Sequence, residues 1–157
     1  MNVRIGPARV EEADALSELA LRSKGYWGYD AAFLDACRSE LSVSPVECAS
    51  GDVVVARSHA NLLGFYALRG ETSTGSLDAL FVDPPHMGMG VGAALMAHAK
   101  VTAVTRGLRT IDLDADPQAV PFYLRFGATL IGESPSQSIP GRTLPRLRFV
   151  IAPEPVE

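Results

Sequence analysis

The run "DPPHMGMGVGAALMAHAK", residues 83–100, sets Gly88, Gly90 and Gly92 at alternate positions and then passes into small and apolar residues. Ahead of it, "GSLDALFVD" has the composition of a strand. Behind it, Ala94, Leu95, His98, Val101 and Thr105 mark the expected inner face of a helix that ends at Arg106 and Gly107. A further strand, "RTIDLDA", follows. Strand, glycine loop, helix and strand in that order make a right-handed crossover, so the two strands are expected to run parallel. The glycines leave successive backbone N–H groups uncovered at the positive end of a helix, an arrangement that suits a phosphate.

The remaining elements are read around this crossover. "NVRIGP" is a short opening strand. Ala13, Leu16, Leu19 and Ala20 recur at helical spacing behind Glu11, Glu12 and Asp14, and Gly25 ends that helix. "YWGYD" is an aromatic loop, "DAAFLDACRSEL" a second helix with Asp30 as N-cap, and "SVSPVECASGD" a loop. "DVVVARS", "NLLGFYALRG" and "GSLDALFVD" follow one another through short connections, which predicts antiparallel neighbours. "AVPFYLRF" places Ala119, Phe122, Tyr123 and Phe126 on one helical face before Gly127, and "ATLIGES" and "LPRLRFVI" are closing strands. The expectation is an α+β fold in a single domain over residues 1–157, with a mixed, mostly antiparallel, twisted sheet of about seven strands and about four helices around it.

Composition narrows the function classes. With 157 residues, 47% of them hydrophobic, the chain can bury a core without disulfides. A net charge of -4 and the absence of any long run of like charge argue against nucleic acid or an anionic membrane as the main partner. Cys37 and Cys48 lie in no CxxC pair and beside no histidine, so no metal site is expected and both are read as reduced thiols. The N-terminus has no apolar leader, and no apolar stretch approaches the ~20 residues of a membrane span, so a cytoplasmic protein is expected.

The phosphate has two candidate owners. Gly88, Gly90 and Ala93 satisfy G-x-G-x-x-A, with Asp112 and Asp114 downstream where a ribose-binding acid belongs in a dinucleotide site. Against that reading, "DPPHM" separates the strand from the glycines, and the strands before it are expected to be antiparallel. A Gly-Lys-Ser/Thr sequence is absent, and Lys100 lies deep in the helix.

The stretch "LFVDPPHMGMGVGAAL" resembles the central motif of the GNAT superfamily of acyl-CoA-dependent N-acyltransferases: a strand, V-x-P, then R/Q-x-x-G-x-G/A opening a helix. Val82, Pro84, Gly90 and Gly92 are in place, whereas Met87 stands where that family prefers Arg or Gln. "DPQAVPFYLRFGA" resembles the family's later motif N-x-x-A-x-x-F-Y-x-x-x-G-F, with Asp116 for Asn and Ala128 for the final Phe. The order of elements agrees from end to end.

The resemblance implies an acetyl-CoA-dependent N-acetyltransferase in which a primary amine attacks the thioester directly in a ternary complex. It implies Tyr123 as the acid that protonates the departing thiolate and Asp78 as the acceptor of the amine's proton. It implies cofactor contacts from Leu80, Phe81 and Val82, from Met87, Gly88, Met89, Gly90, Val91, Gly92 and Ala93, and from Asp116 and Phe122. One of the strand N–H groups would steady the developing oxyanion. On the acceptor side stand Trp27 and Tyr29, with Ser138 and Arg142 as polar partners. The acceptor would be a small-molecule or peptide amine; dimers are common in the family, so a homodimer is a further expectation. Each residue also has a plainer reading: Tyr123 as a core aromatic, Asp78 on an exposed strand face, Asp116 as a helix cap, and Trp27 with Tyr29 as a hydrophobic lid. His59, His86 and His98 carry no partner pattern and are read as ordinary surface or helix residues, and Asp83 as a solvated loop acid. Two other classes stay open: an acyl-CoA-binding module without catalysis, which Met87 suggests, and a nicotinamide-dependent enzyme.

Overall fold

Alternating and β-branched runs give seven strands among the described residues, which in this computed structural model are 2–70 and 72–151. They are β1 (Arg4–Pro7), β2 (Val53–Ser58), β3 (Asn61–Arg69), β4 (Thr74–Val82), β5 (Thr110–Asp114), β6 (Thr129–Pro135) and β7 (Thr143–Val150). Their order in one sheet is β1-β2-β3-β4-β5-β7-β6. β1 with β2, β2 with β3, β5 with β7 and β6 with β7 are antiparallel. β4 and β5 run parallel with Thr74 opposite Thr110 and Ser76 opposite Asp112, as the crossover requires.

The helices are α1 (Ala13–Gly25), α2 (Ala31–Leu41), α3 (Pro45–Ser50), α4 (Val91–Thr105) and α5 (Val120–Arg125). Short 3-10 turns precede three of these elements, at Val10–Glu12, Pro84–His86 and Pro117–Ala119. Asp30 caps α2 as expected, its side chain accepting from the Phe33 N–H at 2.8 Å.

Two expectations need correction. The stretch read as a loop after α2 contains α3, held by a capping box: Ser44 Oγ accepts from the Glu47 N–H, and the Glu47 carboxylate accepts from the Ser44 N–H. The S-x-x-E spacing carried that signal, with Pro45 at the first helical position. On α4 the buried residues are Val91, Leu95, Met96, Ala99 and Ala103, whereas Val101, expected inside, is 65% exposed. α4 is small and apolar on nearly every side, so its sequence does not fix the rotation.

The chain divides into two compact units, residues 1–67 with 79–98, and residues 68–78 with 99–157. The first buries Leu16, Leu19 and Ala20 of α1 against Val53, Val55, Phe65 and Ala67 of the strands, with Val43 and Cys48. Within it Gly64 answers a packing need: a Cβ there would stand 2.6 Å from the Phe81 carbonyl oxygen and 3.2 Å from Val82 Cα. β3 and the end of β4 approach this closely only because residue 64 has no side chain.

The second unit buries Leu77, Ile111, Leu113, Leu147 and Phe149 on one face of its strands. The opposite face carries Asp112, whose carboxylate accepts from Arg148 Nε at 2.7 Å, Arg148 Nη2 at 3.0 Å and Arg146 Nη2 at 3.3 Å. The Arg148 hydrogen bonds outweigh desolvation and hold the Asp112 carboxyl below the usual carboxylate range. A lowered folded-state pKa stabilises above the unfolded value of ~4 and is lost as pH falls through the folded value. Asp112→Asn is therefore expected to lower Tm by a few degrees at neutral pH, with the gap to the parent closing below about pH 4. Thermal unfolding at the two pH values checks this.

Candidate functional site

In the first unit, β4 delivers its last residues to the glycine loop. Leu80, Phe81 and Val82 are all half-buried, and the Phe81 ring packs on Phe65 with centroids 5.8 Å apart. The next residue is pinned in two ways. Its N–H donates to the Leu63 carbonyl at 2.8 Å, and its carboxylate accepts from Arg22 Nε at 2.9 Å and Nη2 at 3.1 Å. Asp83, read from sequence as a solvated acid, thus anchors the end of β4 to α1 through a bidentate ion pair. The partner lies 61 residues away, and nothing in the local sequence announces it.

The loop itself turns through Gly88 at φ 77° and Gly90 at φ 84°, a region closed to most side chains. A Cβ at either position would meet no atom within 4 Å, so the glycines face open space and serve backbone conformation. Met87 and Val91 flank this turn, half-buried and buried respectively, and Met89 is 56% exposed. The first hydrogen bond of α4 runs from the Ala94 N–H to the Gly90 carbonyl at 3.0 Å. The N–H groups of Val91, Gly92 and Ala93 stand ahead of it, without intrahelical acceptors, at the positive end of the helix dipole. This open, side-chain-poor turn fits a diphosphate held by backbone donors. Met87 contributes no cation to it.

Further along α4, His98 Nδ1 and the Tyr66 hydroxyl are 2.7 Å apart. The histidine read as an ordinary helix residue therefore ties α4 to β3. Its partner is 32 residues away and on another element, so spacing could not reveal it.

The aromatic loop of the same unit holds Tyr26, 59% exposed, edge-on to Trp27, 38% exposed. Tyr29 stacks on Phe33, with centroids 4.1 Å apart and planes 10° apart.

The second unit holds Tyr123, Phe122, Asp116, Asp78, Ser138 and Arg142. Tyr123 is 7% exposed, edge-on to Phe122 at 5.1 Å and to Phe149 at 6.4 Å. Its hydroxyl makes no hydrogen bond among the described residues. Burial pushes the phenol pKa upward and keeps the proton on. Asp78 lies on the exposed face of β4, ion-paired with Arg69 at 3.0 Å and accepting from Ser76 Oγ.

Asp116 caps the turn leading into α5, its carboxylate accepting from the Gln118 N–H at 2.9 Å. Arg142 lies 3.7 Å from the same carboxylate, and Ser138 donates its N–H to Ser136 Oγ at 3.3 Å within the β6–β7 loop. Asp116 and Arg142 thus form a clasp between the loop and the start of the helix bearing Tyr123. Asp116→Asn should preserve the cap, and with Arg142→Gln it closes a double-mutant cycle. Urea unfolding is expected to give a coupling of about 0.5–1 kcal/mol for this partly buried pair.

Asp112 and Asp114, candidates for a ribose contact, instead face Arg148 and Arg146 across the strand, with Asp114 3.1 Å from Arg146. Both carboxylates are paired with arginines of β7, which weighs against their serving a dinucleotide ribose. Cys37 and Cys48 are buried and not disulfide-bonded. Burial, with Glu12 and Glu47 nearby, raises the Cys48 thiol pKa and disfavours a nucleophilic thiolate. Among the described residues no His/Cys/Asp/Glu group is arranged to hold a metal, and no helix is long and apolar enough to cross a membrane.

Residues 29–137 match the family described as the acetyltransferase (GNAT) domain. Over 88 residues the chain is 36% identical to the peptidyl-lysine N-acetyltransferase YjaB of Salmonella typhimurium, a match covering 56% of each protein. The chain thus spans about half the length of the curated relatives it matches. The PaiA N-acetyltransferase of Thermoplasma acidophilum, solved in complex with coenzyme A, superposes with a TM-score of 0.76 at 18% identity, covering 96% of this chain and 99% of that one. The apo form of YjaB from Escherichia coli superposes with a TM-score of 0.70 at 27% identity, covering 96% of this chain and 98% of that one.

Proposed function

The chain belongs to the GNAT acetyltransferase-domain family, and from that premise we propose that it transfers an acetyl group from acetyl-coenzyme A to a primary amine. The observation that carries the reading is the open glycine turn at the start of α4, where Gly88 and Gly90 take positive φ with nothing against them. Acetyl-coenzyme A, when bound, supplies an activated thioester carbonyl. The N–H groups of the stretch Gly88–Ala93 hold its diphosphate through the backbone and the helix dipole, without the side-chain donor that an Arg or Gln at position 87 would add. Backbone groups of Leu80, Phe81 and Val82 pair with the pantetheine arm, and one of their N–H groups steadies the carbonyl oxygen as it gains charge. Asp116 and Phe122 complete the cofactor contacts.

Tyr123, its proton held on by burial, gives that proton to the departing thiolate. Asp78 takes the proton that the amine sheds, directly or through water. Trp27 and Tyr29 offer aromatic faces to the acceptor, and Ser138 offers a hydroxyl. Arg142 is the weakest member of the acceptor set, because Asp116 competes for its guanidinium. The names of the YjaB relatives point to a lysine side chain as the acceptor amine.

The test is thiol release from acetyl-coenzyme A in the presence of amine acceptors, among them a terminally blocked peptide with one internal lysine. Release that saturates with that peptide supports the reading. Cofactor binding with no release on any amine would select a binding module without catalysis.

A further inference from the structure

Of the 14 lysines and arginines in the chain only two, Lys24 and Lys100, are lysines. A guanidinium stays protonated and offers no lone pair to an acyl donor, so these two carry the only side-chain amines. Their surroundings differ. Lys100 on α4 donates its ammonium to the Phe126 carbonyl and lies 5.0 Å from the Phe149 ring centroid. Lys24 stands in the last turn of α1, partly exposed, with Nζ 5.3 Å from the centroid of Tyr29. That ring is in turn stacked on Phe33, and the neighbouring Tyr26 and Trp27 open to solvent. The chain's one lysine at a helix end therefore lies against the same aromatic segment that we assign to the acceptor.

We propose that Lys24 is a self-acetylation site. The proposal rests on the amine-acetylation reading given above. The neutral ε-nitrogen attacks the thioester carbonyl carbon, an N–C bond forms and the C–S bond breaks. The electron pair leaves on sulfur, which is protonated to the thiol, and the nitrogen releases its remaining surplus proton to solvent. Acetylation removes the charge that Lys24 sets over Tyr29, so the cation–π contact between them ends. The product is a change in the aromatic segment itself, written by the enzyme's own activity.

The experiment incubates the full chain with acetyl-coenzyme A and no acceptor, followed by peptide mapping by mass spectrometry. The heat-denatured chain and Tyr123→Phe serve as controls for uncatalysed transfer, and the blocked lysine peptide is assayed in parallel. The proposal expects one acetyl group on Lys24, none on Lys100, and transfer at least about tenfold faster than in the denatured chain. Lys24→Arg should lose that label and still acetylate the peptide. A peptide that is acetylated while Lys24 stays unlabelled, or is labelled no faster than in the denatured chain, overturns the proposal and leaves the enzyme reading intact. Absence of transfer to both peptide and Lys24 overturns both.

Discussion

Tyr123→Phe is expected to lower the rate of acetyl transfer by about 10²-fold or more while leaving Tm and acetyl-coenzyme A affinity unchanged. The two halves of this result have separate causes. The ring is 7% exposed and packs against Phe122 and Phe149, so Phe retains its packing. The hydroxyl bonds to no described residue, so its removal leaves no buried partner unsatisfied. What is lost is a proton donor. Burial displaces the phenol upward from its ordinary ~10, so the acid form persists through the neutral and mildly alkaline range. The rate of the parent protein should accordingly show no loss assignable to Tyr123 below about pH 10. A variant with parental stability and parental rate would make Tyr123 a core aromatic only. Steady-state thiol release and thermal unfolding on the same preparations separate these outcomes.

Gly64→Val is expected to have the largest effect on stability, about 3 kcal/mol or more, which for a chain of this size lowers Tm by roughly 10 °C. The added side chain would begin 2.6 Å from the Phe81 carbonyl oxygen, a backbone atom that cannot rotate away. The end of β4 would have to move, carrying with it the residues proposed for the pantetheine arm. Gly88→Ala is the comparison that isolates space from conformation: nothing lies within 4 Å of its Cβ, and only the φ of 77° opposes it. Its cost should be about 1–2 kcal/mol. Equal losses at the two positions would mean that close approach of β3 and β4 is not what Gly64 provides. Chemical denaturation of both variants measures the difference.

The parts of this protein that were legible in its sequence are those encoded by local chemistry. Glycine at positions 88 and 90 has a conformational reason that needs no neighbour, and Asp30 caps α2 through its own backbone. The parallel pairing of β4 with β5 followed from the handedness of a crossover. Helix α3 was encoded just as locally, by Ser44 and Glu47, but six residues are too short for periodicity to show. The rotation of α4 was not legible, because Ala, Val and Met on all sides leave no polar stripe to orient it. Least legible were the pairings between distant residues: Arg22 with Asp83, Tyr66 with His98, and Arg142 with Asp116. Each joins elements that only the folded chain brings together. These pairs turned a supposed solvated acid into an anchor, gave a supposedly unpartnered histidine a partner, and drew a supposed acceptor ligand towards a helix cap.

Calorimetric titration with acetyl-coenzyme A, with NADH as the comparison ligand, tests the central claim most directly. Acetyl-coenzyme A should bind saturably and NADH not at all, and the former should be lost when Gly90, at φ 84°, is replaced by Val. NADH binding, or no detectable binding of acetyl-coenzyme A at about millimolar ligand, a level at which even weak affinities register, would contradict it.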